Sequence, residues 1–128
     1  MNNQNVHVLI IDDNEDILFM LRSMFQFKGY QVTVKENADD IENFIMGLSP
    51  DIILMDMLLS GANGSELCKQ IKSNMDIASI PVVMISAMPH ADKICLEAGA
   101  DYFVSKPFEM DKMISTVAGA VENRNPVI

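Results

Sequence analysis

The strongest constraint on this chain is an alternation, repeated five times, between short apolar runs and stretches whose apolar residues recur at helical spacing. Val6-His7-Val8-Leu9-Ile10-Ile11 is a β-branched run of strand length, and Asp12-Asp13-Asn14 ends it with side chains able to cap a helix. From Asp16 to Phe27, Ile17, Leu18, Leu21, Met24 and Phe25 share one helical face, and Gly29 supplies the stop. Gln31 to Lys35 alternates polar and apolar, as a strand near a sheet edge does. A second helix is expected from Asn37, carrying Ile41, Phe44, Ile45 and Leu48 and broken by Ser49-Pro50. Asp51-Ile52-Ile53-Leu54-Met55 is nearly all apolar, which suits a central parallel strand covered on both faces.

The second half repeats the pattern. Gly61 to Gly64 reads as a loop, and Ser65 to Ser73 as the third helix. Ile80 to Ile85 is the fourth strand, with Pro81 tolerable near its start. Pro89 is expected in the first turn of a helix reaching about Ala98. Tyr102-Phe103-Val104 is the fifth strand, and Glu109 to about Glu122 the last helix. A frayed polar tail is expected over 123–128.

Five such units within 128 residues imply a single α/β domain with its core at about 6–122. The architecture is an open, doubly wound, five-stranded parallel sheet with five helices on its two faces. A hydrophobic share of 49% is enough for a real core, and no apolar run approaches the roughly 18 residues of a membrane helix. The N-terminus lacks the basic and apolar regions of a secretory signal. Cys68 and Cys95 form no metal or redox spacing and read as reduced packing residues, so the expected compartment is the cytoplasm. A net charge of −9 repels nucleic-acid phosphates and favours divalent cations wherever carboxylates converge.

In open parallel sheets, ligands bind beyond the carboxyl ends of the strands. The residues just past those ends are Asp12 and Asp13, Asp56, Ser86 and Lys106. Taken singly each has an ordinary reading: a cap, a turn residue, a loop hydroxyl, a solvated cation. Together they converge on one edge from four loops. Three close carboxylates repel unless a cation sits among them, and hard oxygen ligands suit Mg²⁺. Asp56 ends the central strand and is the best nucleophile candidate, since a carboxylate oxygen can attack phosphorus to give an aspartyl phosphate. Mg²⁺, the Lys106 ammonium and the Ser86 hydroxyl can each engage one phosphoryl oxygen.

An ordered set of segments carries a resemblance over about Val6 to Val121. They are Val8 to Asn14, Asp51 to Asp56, Gly64, Pro81 to Ala87, and Gly99 to Phe108. The chain resembles the receiver domain of two-component response regulators, a CheY-like, flavodoxin-like fold. The resemblance implies phosphorylation of Asp56, with Mg²⁺ bound by Asp12, Asp13, Asp56 and the backbone carbonyl of Leu58. It implies Ser86 as the switch hydroxyl, Lys106 as the phosphate-contacting lysine and Phe103 as the aromatic rotamer switch. Lys106-Pro107 is implied to be a cis peptide, with Pro107 part of the switch region. The implied phosphoryl donor is a histidine kinase or a phosphotransfer domain. The implied output is a protein-binding surface formed by the fourth helix, fifth strand and last helix, with no DNA-binding output domain in the chain.

Departures from the family pattern are informative. Ser60-Gly61 replaces a proline common after the phosphorylated aspartate, so a more mobile loop is expected there. The last helix begins Glu109-Met110-Asp111-Lys112, without the arginines of one DNA-binding subfamily, which argues against dimerisation through that charged surface. Leu58 and Met88 flank the site with apolar side chains that cannot orient water, so a long-lived phosphoryl group is expected. Rivals fare worse. An aspartate-nucleophile phosphatase needs a second acid where Leu58 stands, and a flavin-binding module needs a phosphate-cradling loop where Asp12-Asp13-Asn14-Glu15-Asp16 stands. A receiver used as a constitutive interaction module would not need the full five-residue set.

Overall fold

The computed structural model describes residues 5–124. In chain order the elements are β1 (His7–Ile11), α1 (Glu15–Phe27), β2 (Gln31–Lys35), α2 (Ile41–Leu48), β3 (Ile52–Asp56), β4 (Leu58–Leu59), β5 (Ala62–Asn63), α3 (Gly64–Ser73), β6 (Val82–Ser86), α4 (Ala91–Glu97), β7 (Tyr102–Ser105) and α5 (Met110–Arg124). Five strands form one sheet in the order β2-β1-β3-β6-β7, and every pairing in it is parallel. The chain leaves β1 to one side for β2 and returns to the other side for β3. That reversal opens a crevice at the carboxyl ends of β1 and β3.

The sheet separates two cores because successive strand side chains point to opposite faces. Leu9, Ile11, Ile53, Met55, Val82 and Met84 pack with Ile41, Ile45, Cys68, Ile71 and Cys95 from α2, α3 and α4. Val8, Ile10, Ile52, Leu54, Val83 and Ile85 pack with Leu18, Leu21, Phe25, Met113 and Val117 from α1 and α5. All of β3 is buried, which explains why its first polar residue is Asp56 at the very end. Burying each Ile or Leu contributes roughly 1.5–3 kcal/mol, so a charge earlier in this strand would be costly.

Helix starts depart most from expectation. α2 begins at Ile41 rather than Asn37, because the Asn37 side chain accepts the Asp39 N–H at 3.0 Å and holds a turn. Pro89 lies ahead of α4 rather than in its first turn, since His90 takes a left-handed φ of 62° before Ala91 starts the helix. The expected loop at 61–64 contains β5, which pairs antiparallel with β4 to make a small hairpin. α5 continues to Arg124, two residues past its expected end, and Asn123 donates to the Tyr102 hydroxyl at 3.0 Å. Residues 125–128 of the expected tail lie outside the described residues.

One polar staple ties the fold together away from the crevice. Lys72 Nζ donates to the Ala78 and Ile80 carbonyls at 3.1 and 2.8 Å and to Asp101 Oδ2 at 2.8 Å. The same Asp101 oxygen accepts the Val82 N–H at 2.9 Å, so α3 is fastened to the entry of β6. Among the described residues, no helix is long and apolar enough to cross a membrane.

Candidate functional site

Asp12, Asp13, Asp56, Ser86 and Lys106 all lie at the carboxyl edge of the sheet. The Asp12 N–H donates to the Lys35 carbonyl at 3.2 Å, and its Oδ1 accepts the Asn14 N–H at 2.9 Å. Asn14 in turn caps α1 by accepting the Ile17 N–H. Ser86 ends β6, and its Oγ accepts the Met88 N–H at 3.0 Å, which leaves its own proton to donate elsewhere. Lys106 N–H donates to the Ser86 carbonyl at 2.9 Å, holding these two residues in fixed register. The sheet therefore sets the spacing of the site before any ligand arrives.

Asp12 is 1% exposed, Asp56 8% and Ser86 1%, an unusual concentration of buried polarity. Lys106 Nζ stands 3.4 Å from both Asp12 Oδ2 and Asp56 Oδ2. These contacts are longer than the roughly 2.7–2.9 Å of a strong charge-assisted bond, so the ammonium is shared between two carboxylates. Burial raises the Asp56 pKa, the Asp12 charge raises it further, and Lys106 and the Leu58 N–H oppose the shift. Asp12, Asp13 and Asp56 each offer a carboxylate oxygen, all within 4.8 Å of one another. Three hard oxygen donors facing one lysine fit a divalent cation of the Mg²⁺ class, which would relieve the repulsion that raises Asp56.

The remaining residues singled out in the sequence sit around this centre. Leu58 follows Asp56 by two residues with its side chain 55% exposed, and Met88 follows Ser86 by two at 40%. Phe103 is half-buried and packs against the core that contains α3 and α4. Pro107 is exposed and joined to Lys106 by a cis peptide bond.

Ser60 was not among the expected site residues, yet it contacts the site directly. Its N–H and hydroxyl donate to Asp13 Oδ2 at 2.9 and 2.7 Å, and these two bonds hold the Asp13 carboxyl below the usual range. The loop expected to be mobile is thus a paired hairpin fastened to the β1 end. The visible signal was a hydroxyl residue before Gly61 in place of proline, but its partner lies 47 positions away.

Residues 8–118 match the family model of the response regulator receiver domain. The chain belongs to this family of two-component signalling domains and has its CheY-like fold. Over 121 residues it is 30% identical to the phosphate regulon transcriptional regulatory protein PhoB of Pseudomonas aeruginosa, covering 93% of this chain and 53% of that protein. The chain thus spans about half the length of that relative. It is similar to the signal receiver domain of a signal transduction histidine kinase from Syntrophus aciditrophicus, with a TM-score of 0.86, 28% identity and 96% of each chain covered. The receiver domain of a sensor histidine kinase from Pseudomonas aeruginosa, which has a magnesium ion coordinated in its active-site cleft, shares the fold. Its TM-score is 0.83 at 21% identity, covering 91% of this chain and 98% of that one. Receiver domains of this family bind Mg²⁺ and meet histidine kinases or phosphotransfer proteins.

Proposed function

We propose that the chain accepts a phosphoryl group on Asp56 from the phosphohistidine of a histidine kinase or phosphotransfer domain. The observation that carries this reading is a buried carboxylate, Asp56, that ends the central strand with Lys106 Nζ 3.4 Å away and the Asp12 and Asp13 carboxylates beside it. An Asp56 carboxylate oxygen forms the new bond to phosphorus as the phosphorus–nitrogen bond breaks, and the departing imidazole nitrogen keeps the electron pair. Asp12, Asp13, Asp56 and the Leu58 carbonyl would hold Mg²⁺, which when bound neutralises charge on a phosphoryl oxygen. Lys106 neutralises a second oxygen, and the Ser86 hydroxyl donates to the third. The site is a phospho-acceptor rather than a turnover centre, since Leu58 offers no acid or base beside Asp56.

The new charge draws Ser86 toward the phosphoryl group and lets Phe103 turn inward, shifting the surface of α4, β7 and α5 between two arrangements. Ile94, Leu96 and Met110 are exposed on these helices, which suits a protein partner. The acidic surface disfavours nucleic acid as a partner of this domain. The two buried free thiols suit the reducing cytoplasm. Leu58 and Met88 flank Asp56 without a group that could orient water, so the phosphoryl group is held for minutes or longer.

Incubation with acetyl phosphate and Mg²⁺ followed by intact-mass measurement tests the reading. One hydroxylamine-labile phosphoryl adduct is expected, absent without Mg²⁺ and absent in Asp56→Asn. No adduct from acetyl phosphate or from a panel of phosphorylated kinases would overturn it.

A further inference from the structure

We propose that Ser60 is a positioning residue for cation binding, holding Asp13 in its ligand orientation before the ion arrives; this rests on the Mg²⁺ reading above. Asp13 is exposed on the loop after β1, where an untethered carboxylate would sample several rotamers. Two donors from one residue remove that freedom: the Ser60 N–H at 2.9 Å and its hydroxyl at 2.7 Å. Both are at charge-assisted length, and both fall on Oδ2, so the other oxygen, Oδ1, receives neither.

Ser60 is itself held by backbone that does not depend on a metal. It stands at the turn of the β4–β5 hairpin, where Leu58 pairs with Asn63 and Leu59 with Ala62. Gly61 takes a φ of 73°, which closes that turn. The buried Leu59 side chain anchors the hairpin in the core, and the Gly64 N–H donates to the Met57 carbonyl at 2.7 Å. The carboxyl ends of β1 and β3, where all three carboxylates stand, are therefore clasped together through one serine. The ordering cost of Asp13 is met during folding, which leaves more of the ligand–cation attraction for affinity. A proline at 60 offers neither donor and could not form the clasp.

Calorimetric titration of Mg²⁺ into the metal-free wild type and the Ser60→Ala, Ser60→Thr and Ser60→Pro variants tests this, with metal-free melting curves as the fold control. Ser60→Ala should weaken Mg²⁺ binding roughly three- to tenfold, the scale of having to immobilise one side chain when the ion binds. Its metal-free melting curve should stay cooperative and fall by no more than a few degrees, as expected for one lost exposed hydrogen bond in an intact fold. Ser60→Thr, which keeps both donors, should restore wild-type affinity, and Ser60→Pro should lose more than Ser60→Ala. Unchanged or tighter Mg²⁺ binding in Ser60→Ala overturns the proposal, tighter binding meaning that Ser60 competes with the ion. Failure of Ser60→Thr to restore affinity also overturns it. A wild type that binds no Mg²⁺ overturns the underlying cation reading along with it.

Discussion

A Cβ on Gly64 would lie 2.5 Å from the backbone carbonyl oxygen of Asp56 and 2.7 Å from the Cα of Met57. The first residue of α3 is therefore seated against the end of the central strand, at a distance that only glycine permits. Gly64→Ala must push backbone aside, an overpacking cost of about 1–3 kcal/mol. Urea denaturation should show that loss. Labelling of Asp56 by acetyl phosphate should slow as well, because the displaced backbone carries the acceptor.

The raised pKa of Asp56 gives a pH prediction with a definite sign. Burial comes first among its causes and the Asp12 charge second. A carboxyl whose folded pKa lies above its unfolded value of about 3.9 contributes its stability fully below that value. The contribution is lost as pH rises through the folded pKa. Metal-free Asp56→Asn should therefore melt a few degrees above the wild type at neutral pH, with the gap closing toward strongly acidic pH. Melting curves at a series of pH values check this, and a gap that widens on acidification would contradict it.

Leu58 and Met88 offer the most direct control of phosphoryl lifetime. Replacing them together, as Leu58→Asn with Met88→Glu, supplies groups that can hold and activate a water near the phosphorus. Stabilising the hydrolytic transition state by one hydrogen bond of about 1.4 kcal/mol corresponds to roughly tenfold faster loss. The decay of the intact-mass adduct measures the rate directly. An unchanged decay would remove these side chains from the account.

Lys72 supports a stability prediction far from the site. Its ammonium answers two carbonyls and the Asp101 carboxylate. Lys72→Met keeps the apolar stem but takes the ammonium donor from both carbonyls and from Asp101, which keeps the Val82 N–H, at a cost of about 1–3 kcal/mol. Chemical denaturation should register the loss, while the initial rate of phosphorylation under native conditions stays at the wild-type value.

Much of this was legible in the sequence because it depends on period and position along a strand. Gln31 to Lys35 alternates and forms β2 over those residues, and Ile52 to Met55 is apolar because both faces of β3 are covered. Asp12, Asp56, Ser86 and Lys106 could be placed together because a parallel sheet brings all its carboxyl ends to one edge. What was hidden depends on contacts remote in sequence or on backbone that propensity disfavours. Ser60 meets Asp13 across 47 positions, and Lys72 bonds carbonyls that carry no residue identity. Asp40 and His90 start their helices from left-handed conformations usual for glycine, which shifts the starts of α2 and α4 away from Asn37 and Pro89.

The sheet's division of the interior into two cores also bears on how such a chain can change over generations. Leu9 and Ile10 are neighbours in sequence, yet they pack among different residues. A larger side chain at one is accommodated by α2, α3 and α4, and at the other by α1 and α5. Adjacent strand positions can thus drift separately, while alternate ones are bound to compensate one another. A single strand such as β1 carries two interleaved lineages of substitution, and both are constrained at their shared end by Asp12.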